Sequence, residues 1–336
     1  MDIERAMRRV RLHDLQTLVA VAQAGGMRKA SQTLHLSQSA ISRVVGELEG
    51  TLGLRLLERG PRGIEPTPFG ESLVRRAKAV FDEVQGALRE LDHLADPTGG
   101  EVRLGSMETL HAGLVGATME ALLRKHPRMR FTLESGQSPD LIGHFLLERL
   151  VDFVVARPYR LPLPAEIHGE PLFRDHMHVV VGRSNPLARR RRIDLGELID
   201  EHWILSRNEL MPESPLHEAL AAHGLAMPAR VISSGSLMAR YNLIDAGNFV
   251  TLVPHSMLPF GRHREMAKIL PITLPPWRTH TMVLTVNGRT LGPAAHLFLS
   301  KLRELAKPLD IDRSATPVAV STQPAAARPR RRARSR

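Results

Sequence analysis

Four polar side chains lie together at the start of one predicted helix, and their types suit contact with DNA. They are Gln38, Ser39, Ser42 and Arg43. Glutamine pairs with adenine in the major groove, arginine with guanine or phosphate, and serine with either kind of group. The stretch from Met27 to Gly46 therefore predicts a pair of helices that reads DNA, although this window alone also fits an ordinary helical hairpin.

The surrounding residues predict how this polar face is held. Met27–Leu34 has helical spacing, His35-Leu36 makes a turn, and Ser37 is placed as the N-cap of the next helix. That helix is expected to end at Gly53. Its inward-facing positions are Ala40, Ile41, Val44, Val45 and Leu48. An earlier helix over residues 11–24 has apolar residues at the same spacing and ends at Gly25-Gly26.

A small hairpin is predicted after the second helix of the pair. In Leu54–Pro68, two short extended pieces flank the turn sequence Gly60-Pro61-Arg62-Gly63. Such a hairpin is a wing, and Arg59 and Arg62 at its tip could lie along phosphates or enter the minor groove.

A long helix follows, with Thr67 as its N-cap and Pro68 at its first position. Apolar residues then recur at alternating spacings of four and three, which is a heptad pattern typical of two helices that pack along their length. These residues are Leu73, Ala77, Val80, Val84, Ala87, Leu91 and Leu94. The alternative is a helix that packs only on its own domain. Residues 96–100, Asp-Pro-Thr-Gly-Gly, are expected to end the helix as a hinge.

Composition sets limits on the class of protein. The 336 residues carry a net charge of +11, but the segment from Arg313 to Arg336 has seven arginines and no acidic residue. Charge alone is therefore weak evidence for a folded DNA-binding surface. The absence of cysteine excludes thiol catalysis, disulfides and cysteine metal sites. With no secretory signal and no apolar run of membrane-spanning length, a cytoplasmic location is expected.

From Glu101 to Ala156, predicted strands alternate with helices over Thr109–Lys125 and Asp140–Arg149, which favours a parallel sheet with helices on both faces. A second set of strands begins at Pro171, with a loop, a helix and a strand expected over residues 184–205 and another strand over Ile269–Thr273. Residues 312–336 show no apolar periodicity and are predicted to be disordered. That tail either adds non-specific affinity for phosphates or only improves solubility.

A family resemblance rests on a dense set of matches in the N-terminal block. They are Ala30-Ser31, Leu34, Leu36 to Arg43, Leu48-Glu49, Leu52-Gly53, Leu56-Leu57, Arg59 and Thr67 to Gly70. This pattern resembles the winged helix-turn-helix domain of LysR-type transcriptional regulators. Three positions depart from the family: Ser39 replaces a usual proline, Arg28 a small hydroxyl residue, and Ser31 an alanine. Arg28 could add a phosphate contact.

The resemblance covers roughly residues 10–308 and implies a domain plan. The N-terminal part would be an all-α winged helix-turn-helix with a long linker helix, and the C-terminal part an α/β domain of two lobes, like a periplasmic solute-binding protein. The implied limits are 10–67 for the winged domain, 68–96 for the linker and dimerisation helix, and 101–308 for the effector-binding domain. Lobe I would span about 101–171 and 275–308, and lobe II about 172–274.

The family also implies partners and site residues. The chain would form a homodimer, and a tetramer through its effector domains, on an interrupted palindromic promoter site in double-stranded DNA. The predicted DNA-binding residues are Arg28, Thr33, Ser37, Gln38, Ser39, Ser42, Arg43 and Arg62.

A small-molecule effector would bind in the cleft between the lobes, where strand ends meet helix N-termini with free N–H groups. The predicted contacts are Ser106, Met107, Thr109, Gly136, Gln137, Ser138, Arg157, Ser206 and Arg207. Arg157 and Arg207 could pair with an acidic effector, or either could be an ordinary surface arginine.

Other chemistry is poorly supported by the sequence. His176-Met177-His178 places two imidazoles on one strand face, but no third metal ligand follows by spacing. No P-loop and no G-x-S-x-G motif is present, so neither a catalytic residue nor a cofactor is expected. The rival classes are a solute-binding protein of a transporter and an enzyme on the two-lobed fold. The effector, the target genes and the sign of regulation cannot be read from the sequence.

Overall fold

The computed structural model describes residues 3–60, 63–96, 98–159, 161–261 and 263–310. Arg62 and the predicted disordered tail, 312–336, therefore lie outside the described residues. The chain forms two compact units. The first comprises Met1–Ala156 and Val283–Glu304, and the second Arg157–Met282 with the segment that starts at Leu305. The domain limits predicted from the sequence stay a prediction.

The helices are α1 Ile3–Met7, α2 Leu12–Ala24, α3 Met27–Leu34, α4 Gln38–Leu52, α5 Pro68–Ala95, α6 Glu108–Leu110, α7 Gly116–Leu123, α8 Ser138–Asp140, α9 Pro215–Ala222, α10 Leu237–Asp245, α11 His263–Met266 and α12 Pro293–Ala306. The strands are β1 Leu57–Gly60, β2 Gly63–Pro66, β3 Gly99–Ser106, β4 Arg128–Ser135, β5 Phe153–Ala156, β6 Ile167–Phe173, β7 Met177–Val181, β8 His202–Leu205, β9 Val231–Ser233, β10 Phe249–Pro254, β11 Lys268–Ile269 and β12 Thr281–Val286. No helix in these ranges is long and apolar enough to cross a membrane.

Helices α2, α3 and α4 build the N-terminal domain, and each ends at a residue with left-handed backbone. Gly25 and Gly53 have φ of 66°, and His35 has φ of 53°. Glycine adopts this conformation at no steric cost. The helices enclose a core of buried apolar residues: Leu18, Val21, Ala30, Ile41, Val45, Leu48, Leu56, Leu57 and Val74.

The wing, β1 and β2, is an antiparallel pair with Leu57 opposite Pro66 and Gly60 opposite Gly63. It is fixed to the turn between α2 and α3, because the Ile64 amide donates to the Gly25 carbonyl at 2.9 Å. Gly63 has φ of 122°, and a Cβ at this position would lie 2.5 Å from the Gly25 oxygen. Only glycine therefore allows this close approach of the wing to the helical domain.

The linker helix, α5, begins as the sequence predicts. The Thr67 hydroxyl accepts a hydrogen bond from the Gly70 amide at 3.2 Å, and Pro68 occupies the first turn. The 28 residues of α5 give a rod of roughly 40 Å at 1.5 Å per residue. The helix ends at Ala95, and the carboxylate of the next residue, Asp96, accepts hydrogen bonds from the Thr98 amide and hydroxyl.

One five-stranded sheet has the order β4-β3-β5-β12-β6. Strand β3 is parallel to both β4 and β5, with Leu104 opposite Leu133 on one side and Phe153 on the other. The predicted parallel pairing is confirmed for these strands. Two helices predicted as continuous, Thr109–Lys125 and Asp140–Arg149, instead contain wider π-helical turns at His111–Val115 and Leu141–Leu146.

The second sheet lies in the second unit and has the order β11-β7-β10-β8-β9. Strands β8, β9 and β10 are parallel, whereas β7 and β11 are antiparallel to their neighbours. Two predictions are wrong here. The helix expected before β8 is a pair of 3₁₀ turns, Pro186–Arg189 and Leu195–Leu198. The strand expected over 269–273 ends at Ile269, near Pro271, which has no N–H to donate.

Candidate nucleic-acid interface and effector region

The polar face of α4 is exposed as the sequence predicts. Ile41, Val45 and Leu48 are at most 3% exposed and form its inner side. Gln38, Ser39, Ser42 and Arg43 are all exposed on the opposite side, within the first two turns. The structure thus brings these four side chains together on one solvent-facing surface, where amides, hydroxyls and a guanidinium can reach base edges.

Ser37 acts as the N-cap of α4. Its hydroxyl accepts a hydrogen bond from the Ala40 amide at 3.1 Å and lies 3.0 Å from the Ser39 hydroxyl. The cap fixes the direction in which the helix begins. The Ser37 hydroxyl is therefore already engaged in a local structural role at the start of α4.

The other predicted DNA-binding residues lie on α3. Arg28 and Thr33 are both exposed, and Thr33 donates to the Lys29 carbonyl at 3.4 Å. Lys29, which the sequence analysis did not select, is also exposed and doubles the positive charge at the start of α3. This pair of adjacent basic residues is visible in the sequence and would have predicted Lys29 as a second candidate for a phosphate contact.

Arg43 is held only weakly by the protein. Its nearest ion pair is with Glu47, one helical turn away at 3.9 Å, and both side chains are more than 70% exposed. Exposed pairs of this kind contribute about 0.3–0.5 kcal/mol. The Arg43 guanidinium can therefore exchange Glu47 for a phosphate or a guanine at small cost.

Glu49 links α4 to the wing, a role that the sequence analysis missed. Its Oε1 accepts hydrogen bonds from the amides of Leu56 and Leu57, at 2.7 and 3.1 Å. A carboxylate that receives two backbone N–H groups fixes the chain strongly. The family-type Leu48-Glu49 pair was visible in the sequence, but nothing local showed which amides Glu49 would bind.

The predicted dimer seam of α5 is divided in the structure. Leu73 packs against the winged-domain core and Ala77 is buried, so these two positions are covered within the protomer. Beyond them the seam is exposed: Val80 41%, Val84 41%, Leu91 62% and Leu94 70%, with Ala87 also exposed. Leu88, 58% exposed and absent from the predicted seam, belongs to the same apolar surface.

In the first unit, the loops after β3 and β4 lie side by side. The Gly136 amide is 3.4 Å from the Ser106 carbonyl, and the Ser138 hydroxyl is 3.9 Å from the Met107 sulfur. Ser106, Met107 and Ser138 are buried, whereas Thr109, Gly136 and Gln137 are half-buried. The structure thus joins Ser106 with Gly136 and Met107 with Ser138, and the other two predicted residues, Thr109 and Gln137, lie within two positions of them in the chain.

His111 was missed, although it follows these residues directly. Its Nε2 is buried and has no hydrogen-bond partner among the described residues. Burial lowers the pKa of the His111 imidazole to about 4, so the ring is neutral at pH 7.

In the second unit, Arg157 is buried and does not lie on the surface. Its guanidinium carbon is 4.0 Å from the centre of the Trp277 ring, a cation–π contact. Burial lowers the pKa of Arg157, and the nearby Asp175 carboxylate opposes that effect. Burial raises the pKa of Asp175, whereas its hydrogen bonds from Ser256 lower it. The surface-arginine alternative is therefore wrong for Arg157, and an effector contact stays a prediction.

The backbone N–H of Ser206, a predicted effector contact, is already engaged within the protein. This amide donates to the Glu209 carboxylate at 2.6 Å. Glu209 also forms a buried bidentate pair with Arg240, with N···O distances of 2.6 and 3.0 Å. The Glu209 carboxylate thus takes the hydrogen bond that the backbone N–H at the end of β8 could have given to a ligand. Arg207, the neighbouring predicted residue, is exposed.

A pocket of about 120 Å³ lies beside these residues in the second unit. Neither Ser206 nor Arg207 lines it. Asn208 does, and its amide donates to the Tyr159 hydroxyl. The lining consists of Tyr159, Asn208, Met211, Glu213, Trp277, Arg278 and Thr279. Its volume approaches that of a cavity known to hold one benzene ring, about 150 Å³.

Metal chemistry gains no support from the described part of the chain, where no group of three or more His, Cys, Asp or Glu residues could hold an ion. One of the two imidazoles that the sequence placed on a strand face, that of His178, lies with its Nε2 3.2 Å from His255 Nδ1.

Two family models match the chain. Residues 12–71 match the bacterial regulatory helix-turn-helix protein, lysR family, and residues 95–307 match the LysR substrate binding domain. Among curated relatives, the HTH-type transcriptional regulator GbpR of Azospirillum brasilense is 25% identical, with 88% of this chain and 86% of GbpR aligned. The transcriptional dual regulator GltC of Bacillus subtilis is 27% identical, with 85% and 94% aligned.

Solved structures show the same fold. A full-length OxyR from Pseudomonas aeruginosa is similar with a TM-score of 0.62 and 21% identity, covering 91% of this chain and 99% of that one. Full-length CbnR, in a complex with its target DNA, has a TM-score of 0.57 and 22% identity, covering 88% and 100%.

Proposed function

Because the chain belongs to the LysR family of bacterial transcriptional regulators, we propose how its residues carry out regulated DNA binding. The chain is a DNA-binding regulator with an effector-binding domain, and its relatives are regulators and not enzymes. We propose which residues form its sites, that it is a homo-oligomer, and that it acts in the cytoplasm, where promoter DNA is found.

The exposed polar face of α4 carries the proposal. Gln38, Ser39, Ser42 and Arg43 enter the major groove, while Ser37 sets the start of the helix. Arg28 and Lys29 bind phosphates beside it, and Arg62, which lies between β1 and β2 in sequence, is assigned the same role. CbnR binds its target DNA in the matched structure. The geometry that supports the same mode here is the burial of Ile41 and Val45 opposite an exposed face of amides, hydroxyls and a guanidinium.

The apolar surface of α5 pairs two protomers. Isolated exposed leucines are common, but a contiguous apolar stripe marks an interaction site. The stripe from Val80 to Leu94 runs along more than half of α5, and its heptad spacing suits an antiparallel or parallel helix partner. The two winged domains of the dimer then bind the two half-sites of an interrupted palindrome. Contacts between effector domains join two dimers into a tetramer.

The effector contacts two regions, which we assign separately. In the first unit these are the paired loops with Ser106, Met107 and Ser138. In the second unit they are the pocket residues Tyr159, Asn208 and Trp277, with Arg157 behind the Trp277 ring. An effector shifts the oligomer between two geometries only if it binds one of them more tightly.

A mobility-shift assay tests the DNA-binding proposal. The probe is the duplex DNA upstream of the protein's own gene, and a non-specific duplex serves as competitor. We expect a competitor-resistant complex that Arg43→Ala weakens strongly. The matched control is Arg192→Ala, which removes an exposed arginine from the effector domain and should leave the complex intact. No specific complex in the wild type, or equal binding by both variants, would contradict the assignment.

A further inference from the structure

The linker helix carries a second, charged stripe on the side away from the apolar seam. Lys78, Asp82 and Arg89 are spaced by four and seven residues, so they fall on one face of α5. Val80 and Val84 flank Asp82 in sequence but lie about half a turn around the helix from it. One face of α5 therefore remains exposed and apolar, while the other is charged. We call these three residues the charged stripe.

Each member of the charged stripe is paired with a residue from the α/β part of the first unit. Lys78 bonds Glu148. The Asp82 carboxylate forms ion pairs with the guanidinium groups of Arg149, at 2.8 Å, and Arg289, at 2.6 Å. Arg89 lies 3.6 Å from Asp152. The signs alternate along α5 as plus, minus, plus, and the facing residues present the opposite order. This pattern fits in a single register, because sliding the helix by one turn would place like charges together.

The central pair is the most deeply buried. Asp82 is 7% exposed, and the Arg289 side chain is 1% exposed. Arg103 adds a third guanidinium 3.8 Å from Asp82 and also bonds Asp152 at 2.8 Å. Removing the Asp82 charge would leave these guanidiniums buried with too little negative charge around them, which strongly disfavours the docked state.

Asp82 is thus unlike an exposed helix acid. Its neighbour Glu83 is exposed and offers a matched comparison. The charged stripe lies between residues 71 and 95, a segment that neither family model covers.

We propose that the charged stripe couples the linker helix to the effector domain, so that α5 and the sheet of the first unit move as one body. A conformational change in the effector domain then moves the winged DNA-binding domains through α5, because the two parts do not bend relative to each other at the Asp96–Gly100 connection. The proposal rests on the proposed function, because coupling matters only if the winged domains bind DNA. Asp82 acts in it as a positioning residue and contacts no DNA.

Paired spin labels test the rigid contact without any effector. The chain has no cysteine, so Glu90→Cys on α5 and Arg124→Cys beyond α7 can be labelled without background; both native side chains are exposed. Labelled chains are diluted with excess unlabelled chains, so that only distances within one protomer are measured by pulsed electron paramagnetic resonance.

We expect one narrow distance peak in the parent and in Glu83→Gln. Asp82→Asn should lose that peak. Lys78→Glu and Glu148→Lys should each broaden it, and the two together should restore it, because the exchanged charges attract again. Folding of every variant is checked by circular dichroism. A narrow peak in Asp82→Asn, or no recovery in the double exchange, would overturn the proposal.

Hydrogen exchange with DNA then tests the coupling itself. The probe is a duplex selected from a random library by the wild-type chain. Coupling between two sites acts equally in both directions, so DNA bound to the winged domains should alter amide hydrogen exchange in β3 and β5. Asp82→Asn should keep DNA binding but lose this response. A retained response contradicts the coupling, whereas failure to select any duplex contradicts the proposed function and leaves the spin-label result to decide on the charged stripe.

Discussion

The Glu49 carboxylate oxygen Oε1 lies 2.7 Å from the backbone nitrogen of Leu56. The same oxygen accepts the next amide, so a single side chain near the end of α4 fixes the strand that leads into the wing. This carboxylate thus helps to fix the wing relative to α4, together with the hydrogen bond from the Ile64 amide to the Gly25 carbonyl.

Glu49→Ala should loosen the wing while α4 remains folded. Two amides lose their acceptor, at a cost of about 1–3 kcal/mol for each that stays buried. Amide exchange at Leu56 and Leu57 should accelerate, as measured by nuclear magnetic resonance on the isotopically labelled chain. Glu58→Ala, which removes an exposed acid of the wing, is the control. Unchanged exchange in Glu49→Ala would show that the wing is held by other contacts.

Gln38→Ala should change which bases are preferred more than it changes overall affinity. A bidentate amide–adenine contact is worth about 1–3 kcal/mol of discrimination. Selection of duplexes from a random library should show relaxed preference at one position of each half-site. Identical base preferences for Gln38→Ala and the wild type would show that Gln38 does not contact the bases.

Arg28→Ala should lose a phosphate contact and keep the base preference. The slope of log affinity against log salt concentration should then become shallower by about 0.9.

Val84→Asp should prevent pairing of the linker helices. The substitution places a carboxylate in the middle of the exposed apolar seam, where a partner helix would strip it of water. Sedimentation velocity should show smaller species than the wild type. Gln85→Asp adds the same charge at an exposed position next to the seam and should have a much smaller effect. An oligomer that survives Val84→Asp unchanged would mean that protomers assemble through a different surface.

Arg240→Met should destabilise the second unit strongly. Its removal leaves the buried Glu209 without its bidentate partner, and breaking one side of such a pair costs about 3–5 kcal/mol. Glu218→Gln breaks the exposed pair with Arg278, 3.3 Å long, and should cost about 0–1 kcal/mol. Urea unfolding followed by tryptophan fluorescence reports on this unit, because Trp203 and Trp277 both lie in it. Similar midpoints for the two variants would contradict the assigned importance of the buried pair.

His111 should make the protein less stable in mild acid. Burial lowers its pKa in the folded state to about 4 from an ordinary 6.5. The unfolded chain therefore binds the proton more readily, and stability falls as the pH decreases from about 6.5 to 4. His111→Gln should lose this part of the pH dependence and match the wild type above pH 7. Thermal melts across pH 4–8 provide the measurement, and parallel curves for both proteins would contradict a buried neutral His111.

Much of the DNA-binding part could be predicted because its signals are local. Ser37 and Thr67 cap helices whose first turns lie within three residues of them. Apolar spacing places Ile41 inward and Ser42 outward without knowledge of any other element. The same rule found most of the α5 seam, but it could not show that Leu73 and Ala77 are covered within the protomer.

The effector region was less predictable because partners there come from distant parts of the chain. Ser206 follows a strand as expected, yet its amide is taken by Glu209, whose orientation depends on Arg240 thirty-one residues later. Arg157 had the position of a ligand contact, and only the fold shows that Trp277 covers it.

The sequence by itself determined the polar face of α4, its cap, the apolar seam and the family, because helix periodicity, capping and motif spacing act over a few residues. Only the tertiary structure decided what the other face of α5 does. Asp82 and Arg289 are 207 residues apart, and their ion pair arises because sheet topology and the direction of α5 bring them together. The sequence does not show which arginine pairs with an acidic residue of a helix, so only the tertiary structure reveals that both charges are buried together.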